Sequence, residues 1–162
     1  MKQTPALDKA QAAMRPGVIA QAGFLGPDAR KLADILAEDQ RAVAALGLTH
    51  EGIAARMLEL RAAGESGLGL AIAVAPHFEV AVEDVRGMLP CPFGHEGLFP
   101  KINVTVRNLS LGRTVVFTEL QRHLIGAHGF YEGRGSPYRL DPADLAAVLD
   151  VKRQPGGQAT LR

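Results

Sequence analysis

The chain is 162 residues long, 47% hydrophobic and 22% charged, with a formal net charge of +1. Such a balance excludes a disordered or fibrous chain, and the length suffices to bury roughly two-thirds of the unfolded surface without a disulfide or a metal. Residues 1–64 carry eight Lys/Arg against seven Asp/Glu and residues 65–162 carry ten of each, so no basic half tracks a phosphate backbone and nucleic acid is not an expected partner.

The first 64 residues read as helical. Thr4 and Pro5 suit an N-cap and first helical position for a helix running up to Pro16-Gly17. A second helix is predicted from near Pro27 to Gly47, with Leu32, Ile35, Leu36, Val43 and Leu46 along one side. A third runs from Thr49 to Gly64 with Ile53, Met57 and Leu60 at helical spacing. That spacing is the signature of core packing. The join at Leu46-Gly47-Leu48-Thr49 reads as an ordinary helical hairpin. A DNA-recognition helix would open with basic or amide side chains, whereas this one opens with His50 and Glu51.

Beyond Gly64 the pattern turns to strands. The apolar run 68-LGLAIAVAP-76 predicts a buried strand, and 78-FEVAVEDV-85 alternates as a half-buried one does. In 102-INVTVRN-108 the residues Ile102, Val104 and Val106 share a face, and Leu111-Gly112 turns the chain into 113-RTVVFT-118 as a hairpin. Thr118 and Gln121 form a capping box for a helix ending at Gly129, 136-SPYRL-140 suggests a short strand, and Asp141-Pro142 opens a last helix. The expected fold is α+β: a helical N-terminal part, then a mostly antiparallel sheet with one or two packed helices. The expected organisation is a helical subdomain over 1–64, an α+β subdomain carrying the candidate site over 65–151 and a mobile tail over 152–162, together one compact unit.

Cys91, the only cysteine, cannot form an intrachain disulfide, and MKQTPALDKAQAAMRPG lacks the apolar run of a leader. The chain is therefore expected in the cytoplasm, away from membranes. Cys91 lies with His95 in 90-PCPFGHEGLFP-100, whose three prolines and two glycines preclude a helix or central strand and allow both side chains to turn inward. His123 and His128 follow on the predicted helix. A thiolate with imidazoles suits zinc, the expected cofactor, with Cys91, His95, His123 and His128 as ligands. Five residues of ideal helix place His123 and His128 about 140° apart, so joint ligation is expected to require tightening or unwinding before His128. The competing reading makes Cys91 a small buried hydrophobe, His123 a surface residue and His128 a helix cap. His50 and His77 have no nearby partner types and read as structural or surface residues.

The segment 129-GFYEGRGSPYR-139 adjoins this cluster. Its glycines could turn backbone N–H groups toward an anion, with Arg134, Arg139 and Ser136 holding a small anionic ligand. Alternatively it is a Gly-rich connection packed down by Phe130, Tyr131 and Tyr138. With three protein ligands, a metal-bound water is expected, and Glu132 or Glu96 would take its proton in hydrolysis of a small acidic compound. With four, the site is closed and structural. The second expectation is a noncatalytic interaction or regulatory domain with a structural metal or none. A nucleic-acid surface would require Arg107, Arg113, Arg122, Arg134 and Arg139 to cluster.

Overall fold

The structure is a computed structural model and describes residues 1–153. Its elements run α1 (Pro5–Ala13), α2 (Leu32–Ala45), α3 (His50–Gly64), β1 (Ile72–Val74), β2 (Phe78–Pro90), β3 (Leu98–Asn108), β4 (Arg113–Thr118), α4 (Glu119–His128) and α5 (Pro142–Leu149). The strands form one antiparallel meander in the order β1-β2-β3-β4. The fold is α+β, with three α-helices before the sheet and two after it among the described residues. No helix of the described residues is long and apolar enough to cross a membrane.

Alternation in β3 decides which face of the sheet is covered. Ile102, Val104 and Val106 are buried, while Thr105 is half-buried and Arg107 exposed. Val104 and Val106 join Phe78 and Val80 of β2, Phe117 of β4 and residues of α3 and α5 in the larger core. A second core gathers Met14, Leu32, Ile35, Phe24, Leu120, Leu124, Phe130 and Cys91. Helix α4 serves both, since Ile125 belongs to the first and Leu120 and Leu124 to the second. Amphipathic helices with two apolar sides are held from two directions, which fixes the rotation of α4 and hence its histidines.

The termini of α4 are also set locally. Thr118 Oγ1 accepts from Gln121 N, and the Gln121 side chain accepts from Thr118 N at 3.0 Å, completing the capping box. Gly129 ends the helix in the left-handed region at φ 63°, where a side chain would also strike the His50 ring.

Four expectations need correction. Helix α2 begins at Leu32; ahead of it the Asp28 side chain accepts from Arg30 N (3.2 Å), a local bond that competes with helical hydrogen bonding. The strand expected over 68–76 is only Ile72–Val74, at the sheet edge, with Leu68 91% and Leu70 75% exposed. The loop 90–100 is shorter than expected: Pro90 pairs with Leu98 and Pro100 with Met88 in a two-stranded arm. Neither β1 nor β4 pairs with that part of the hairpin, so the prolines sit on edges where a missing N–H is tolerated. The segment 136–140 is not a strand but consecutive turns, closed by Ser136 N to the Gly133 carbonyl and Arg139 N to the Ser136 carbonyl, both 3.1 Å. Of the tail expected over 152–162, residues 154–162 lie outside the described residues, and Arg153 Nε donates to the Leu46 carbonyl at 3.4 Å.

Candidate metal centre

Where β2 ends, Cys91, Pro92, Phe93 and Gly94 form a turn closed by Gly94 N donating to the Cys91 carbonyl at 3.0 Å. Proline favours the second position of such a turn, and Gly94 has φ 86°. The turn directs Cys91 into the second core, where it is buried, and leaves His95 and Glu96 exposed.

Cys91 meets α4 there. Its Sγ lies 3.5 Å from His128 Nε2, and donor atoms of Cys91, His123 and His128 all lie within 4.8 Å of one another. The His123 and His128 ring centres are 5.3 Å apart and nearly perpendicular. The His95 ring stands 5.1 Å from that of His123 and 4.5 Å from that of His128, outside the three-donor set but beside it. No unwinding of α4 is involved, contrary to expectation. Helical hydrogen bonding continues through Gly129 N to the Ile125 carbonyl at 3.0 Å. The imidazoles bridge the angle by their own length, with ring centres 5.3 Å apart.

Aromatic rings wall the cluster. Phe93 stacks on His128 with centres 4.1 Å apart, and Phe99 stacks on His123 at 4.3 Å. Burial holds the His128 pKa down at about 4, with the neighbouring His95 and His123 adding to the effect. His123 is lowered too, by burial first and then by His95 and Arg122. Both imidazoles are therefore neutral near pH 7, each with a lone pair. His123 Nε2 is buried and has no hydrogen-bond partner among the described residues, a costly state for a polar atom.

The donor types, one thiol and two imidazoles, are among those a zinc ion takes. Zinc–sulfur and zinc–nitrogen bonds of about 2.3 and 2.0 Å at a tetrahedral angle put sulfur and nitrogen about 3.5 Å apart, and imidazoles bound to one ion have centres about 5 Å apart. The Cys91–His128 separation of 3.5 Å and the His123–His128 ring separation of 5.3 Å are of this size, and the His95–His128 ring separation of 4.5 Å is shorter.

The adjoining segment is arranged differently from expectation. Arg134 bonds both Glu38 carboxylate oxygens at 2.6 and 2.8 Å, and Arg139 bonds both Asp39 oxygens at 3.0 and 2.8 Å. Arg134 N donates to Asp28, and Ser136 Oγ donates to Glu132 Oε1 at 3.0 Å. The groups expected to cradle an anion are thus spent on internal carboxylates and lock 132–139 against 24–39. Glu132 is buried and lines a cleft that includes neither Cys91 nor any of the three histidines. The cleft does not include the Cys-His-His cluster, so Glu132 is not placed to serve as the base expected beside it.

Three features escaped the sequence reading. Phe93 and Phe99 lie within the Cys91 loop, and their presence there was the available signal for the stacking walls. His50 Nδ1 lies 2.8 Å from the Tyr131 hydroxyl, and His77 Nε2 lies 2.7 Å from Asp150 Oδ2. Those partners are 81 and 73 positions away, and only the fold brings them together.

Compared with protein-family models, curated proteins and solved structures, the chain matches none. Its fold and cluster define it as an α+β protein with a Cys-His-His donor set between a hairpin arm and a helix end.

Proposed function

We propose that the protein binds a zinc ion through Cys91, His123 and His128, with His95 as the fourth ligand. The reading is carried by the three donor atoms within 4.8 Å of one another, one from the turn after β2 and two from α4. The unpartnered His123 Nε2 supports it, since ligation would satisfy that atom. Cys91 would bind as the thiolate, its proton displaced by the cation. His95 rides an exposed turn between Gly94 and Gly97, both at positive φ, and needs only to close on rings already near it. Bound in this way, the ion joins the tip of the β2–β3 arm to the C-terminal end of α4, a closed and noncatalytic arrangement. Hydrolysis of an acidic compound draws less support. Arg134 and Arg139 are paired to carboxylates, and of the two expected bases Glu132 lines a separate cleft while Glu96 is exposed, next to His95 in the chain.

Metal analysis of untagged protein tests this. Wild-type chain is expected to carry about one zinc, and Cys91→Ala, His123→Ala and His128→Ala each to lose it with the circular dichroism spectrum retained. His95→Ala should keep the ion with lower affinity. A wild-type chain free of zinc after growth with added zinc overturns the proposal.

A further inference from the structure

A second candidate site, which shares no lining residue with the Cys-His-His cluster, lies against the second core. We propose that the cleft around Glu132 binds an organic ammonium, a molecule with a short apolar body and one protonated amine. The cleft holds about 600 Å³, within the range of small-molecule sites. Phe24, Leu89 and Leu120 supply apolar walls, and Gln121 and Glu132 supply polar groups. Glu132 is the only acid or base of Asp, Glu, Lys, Arg or His type in its lining.

That carboxyl is only 4% exposed, and its two observed partners are neutral. Oε2 accepts from the Gln121 side-chain amide and Oε1 from Ser136 Oγ, each at 3.0 Å. A carboxylate has about four acceptor sites, so these leave capacity for a further donor. The cations on the surrounding elements are committed elsewhere. Arg139 binds Asp39 and, through Nη1, only the main-chain carbonyl of Glu132. Arg61 and Arg122 bind Glu119, Arg30 binds Asp28 and Glu38, and Arg134 binds Glu38. A buried carboxylate without a cation is expensive, and an ammonium entering the cleft would supply the missing charge while its apolar body covers the leucine and phenylalanine walls.

The backbone points the same way. Glu132 sits at φ 73°, a region that costs a residue with a side chain and that recurs at binding sites. It is held there by the close approach of two segments: Gly133 N donates to the Phe24 carbonyl at 2.9 Å, and any side chain at Gly133 would overlap the Leu25 backbone. Burial pushes the Glu132 pKa up to about 7, the bonds from Gln121 and Ser136 opposing it. An ammonium binds the ionised form, so its affinity should be full above that pH and fall about tenfold per unit below it.

Nuclear magnetic resonance titration with n-hexylammonium, and with 1-hexanol as its uncharged counterpart, tests the proposal. Near pH 8, hexylammonium is expected to shift the Gln121 side-chain amide and the Glu132 backbone amide, and to bind at least about tenfold tighter than hexanol. Glu132→Gln should lose about tenfold or more in affinity with its spectrum otherwise folded, and Ala22→Trp, which fills the rim, should lose binding with Glu132 in place. Equal binding of the two probes, undiminished binding in Glu132→Gln, or no shift at these amides overturns it.

Discussion

Replacing Arg139 by leucine is expected to lower the free energy of unfolding by about 3–5 kcal/mol, the range for removing one partner of a buried ion pair. Asp39, 3% exposed on α2, receives both nitrogens of the Arg139 fork, and the same guanidinium donates to the Glu132 carbonyl at 2.8 Å. Without it, Asp39 remains as a buried charge with no cation, and a main-chain carbonyl in the turn loses its donor. The measurement is urea unfolding of Arg139→Leu, Asp39→Leu and the double variant. The double variant is expected to be more stable than Arg139→Leu alone, because it also removes the stranded charge. Simple additivity of the two losses would contradict this assignment of the pair.

Glu132→Gln is expected to act in the opposite direction, and only above the acid range. The folded-state pKa of Glu132 is raised by burial to about 7 from 4.5. Between those values the folded chain holds a proton that the unfolded chain has released, so stability falls as pH rises and the penalty is complete above about pH 7. A shift of this size corresponds to about 3 kcal/mol. Glutamine resembles the protonated acid and carries no such penalty. The variant should therefore match wild type near pH 4 and exceed it by about 2–3 kcal/mol near pH 8. Chemical denaturation at the two pH values measures the difference, and a gain independent of pH would contradict it. A stability gain coupled to loss of ammonium binding is the expected mark of a residue kept for binding rather than for folding.

The parts of this molecule legible in its sequence are those with local causes. Helix α4 could be bounded to the residue, since a capping box and a left-handed glycine are both written within a few positions of its ends. The alternation of β3 and its pairing with β4 through the Leu111-Gly112 turn were equally local. The run 68–76 misled because an apolar segment without alternation does not declare whether it is covered. Here Leu68 takes φ 52° and ends a 3-10 turn over Glu65–Gly67, outside the core. In 136–140 the deciding contact is Ser136 with Glu132, which no strand periodicity reveals.

The candidate site divides along the same line. Cys91, His95, His123 and His128 were identifiable from residue type and spacing, and the fold brings the first, third and fourth into one set. Helical angle alone argued for distortion of α4, because that argument treated the imidazoles as directions on a cylinder and neglected their length. The anion cradle was misjudged for a different reason. Arg134 and Arg139 looked unengaged because Glu38 and Asp39 lie 96 and 100 positions away, on a helix whose placement no local pattern gave.

The central claim is that one thiolate and neighbouring imidazoles share an ion, and zinc K-edge absorption of the zinc-loaded chain tests it most directly. The expected spectrum has one sulfur neighbour at about 2.3 Å with nitrogen neighbours at about 2.0 Å, and it loses the sulfur in Cys91→Ala. Zinc surrounded by nitrogen and oxygen alone would contradict the account and return Cys91 to the core as a buried apolar side chain.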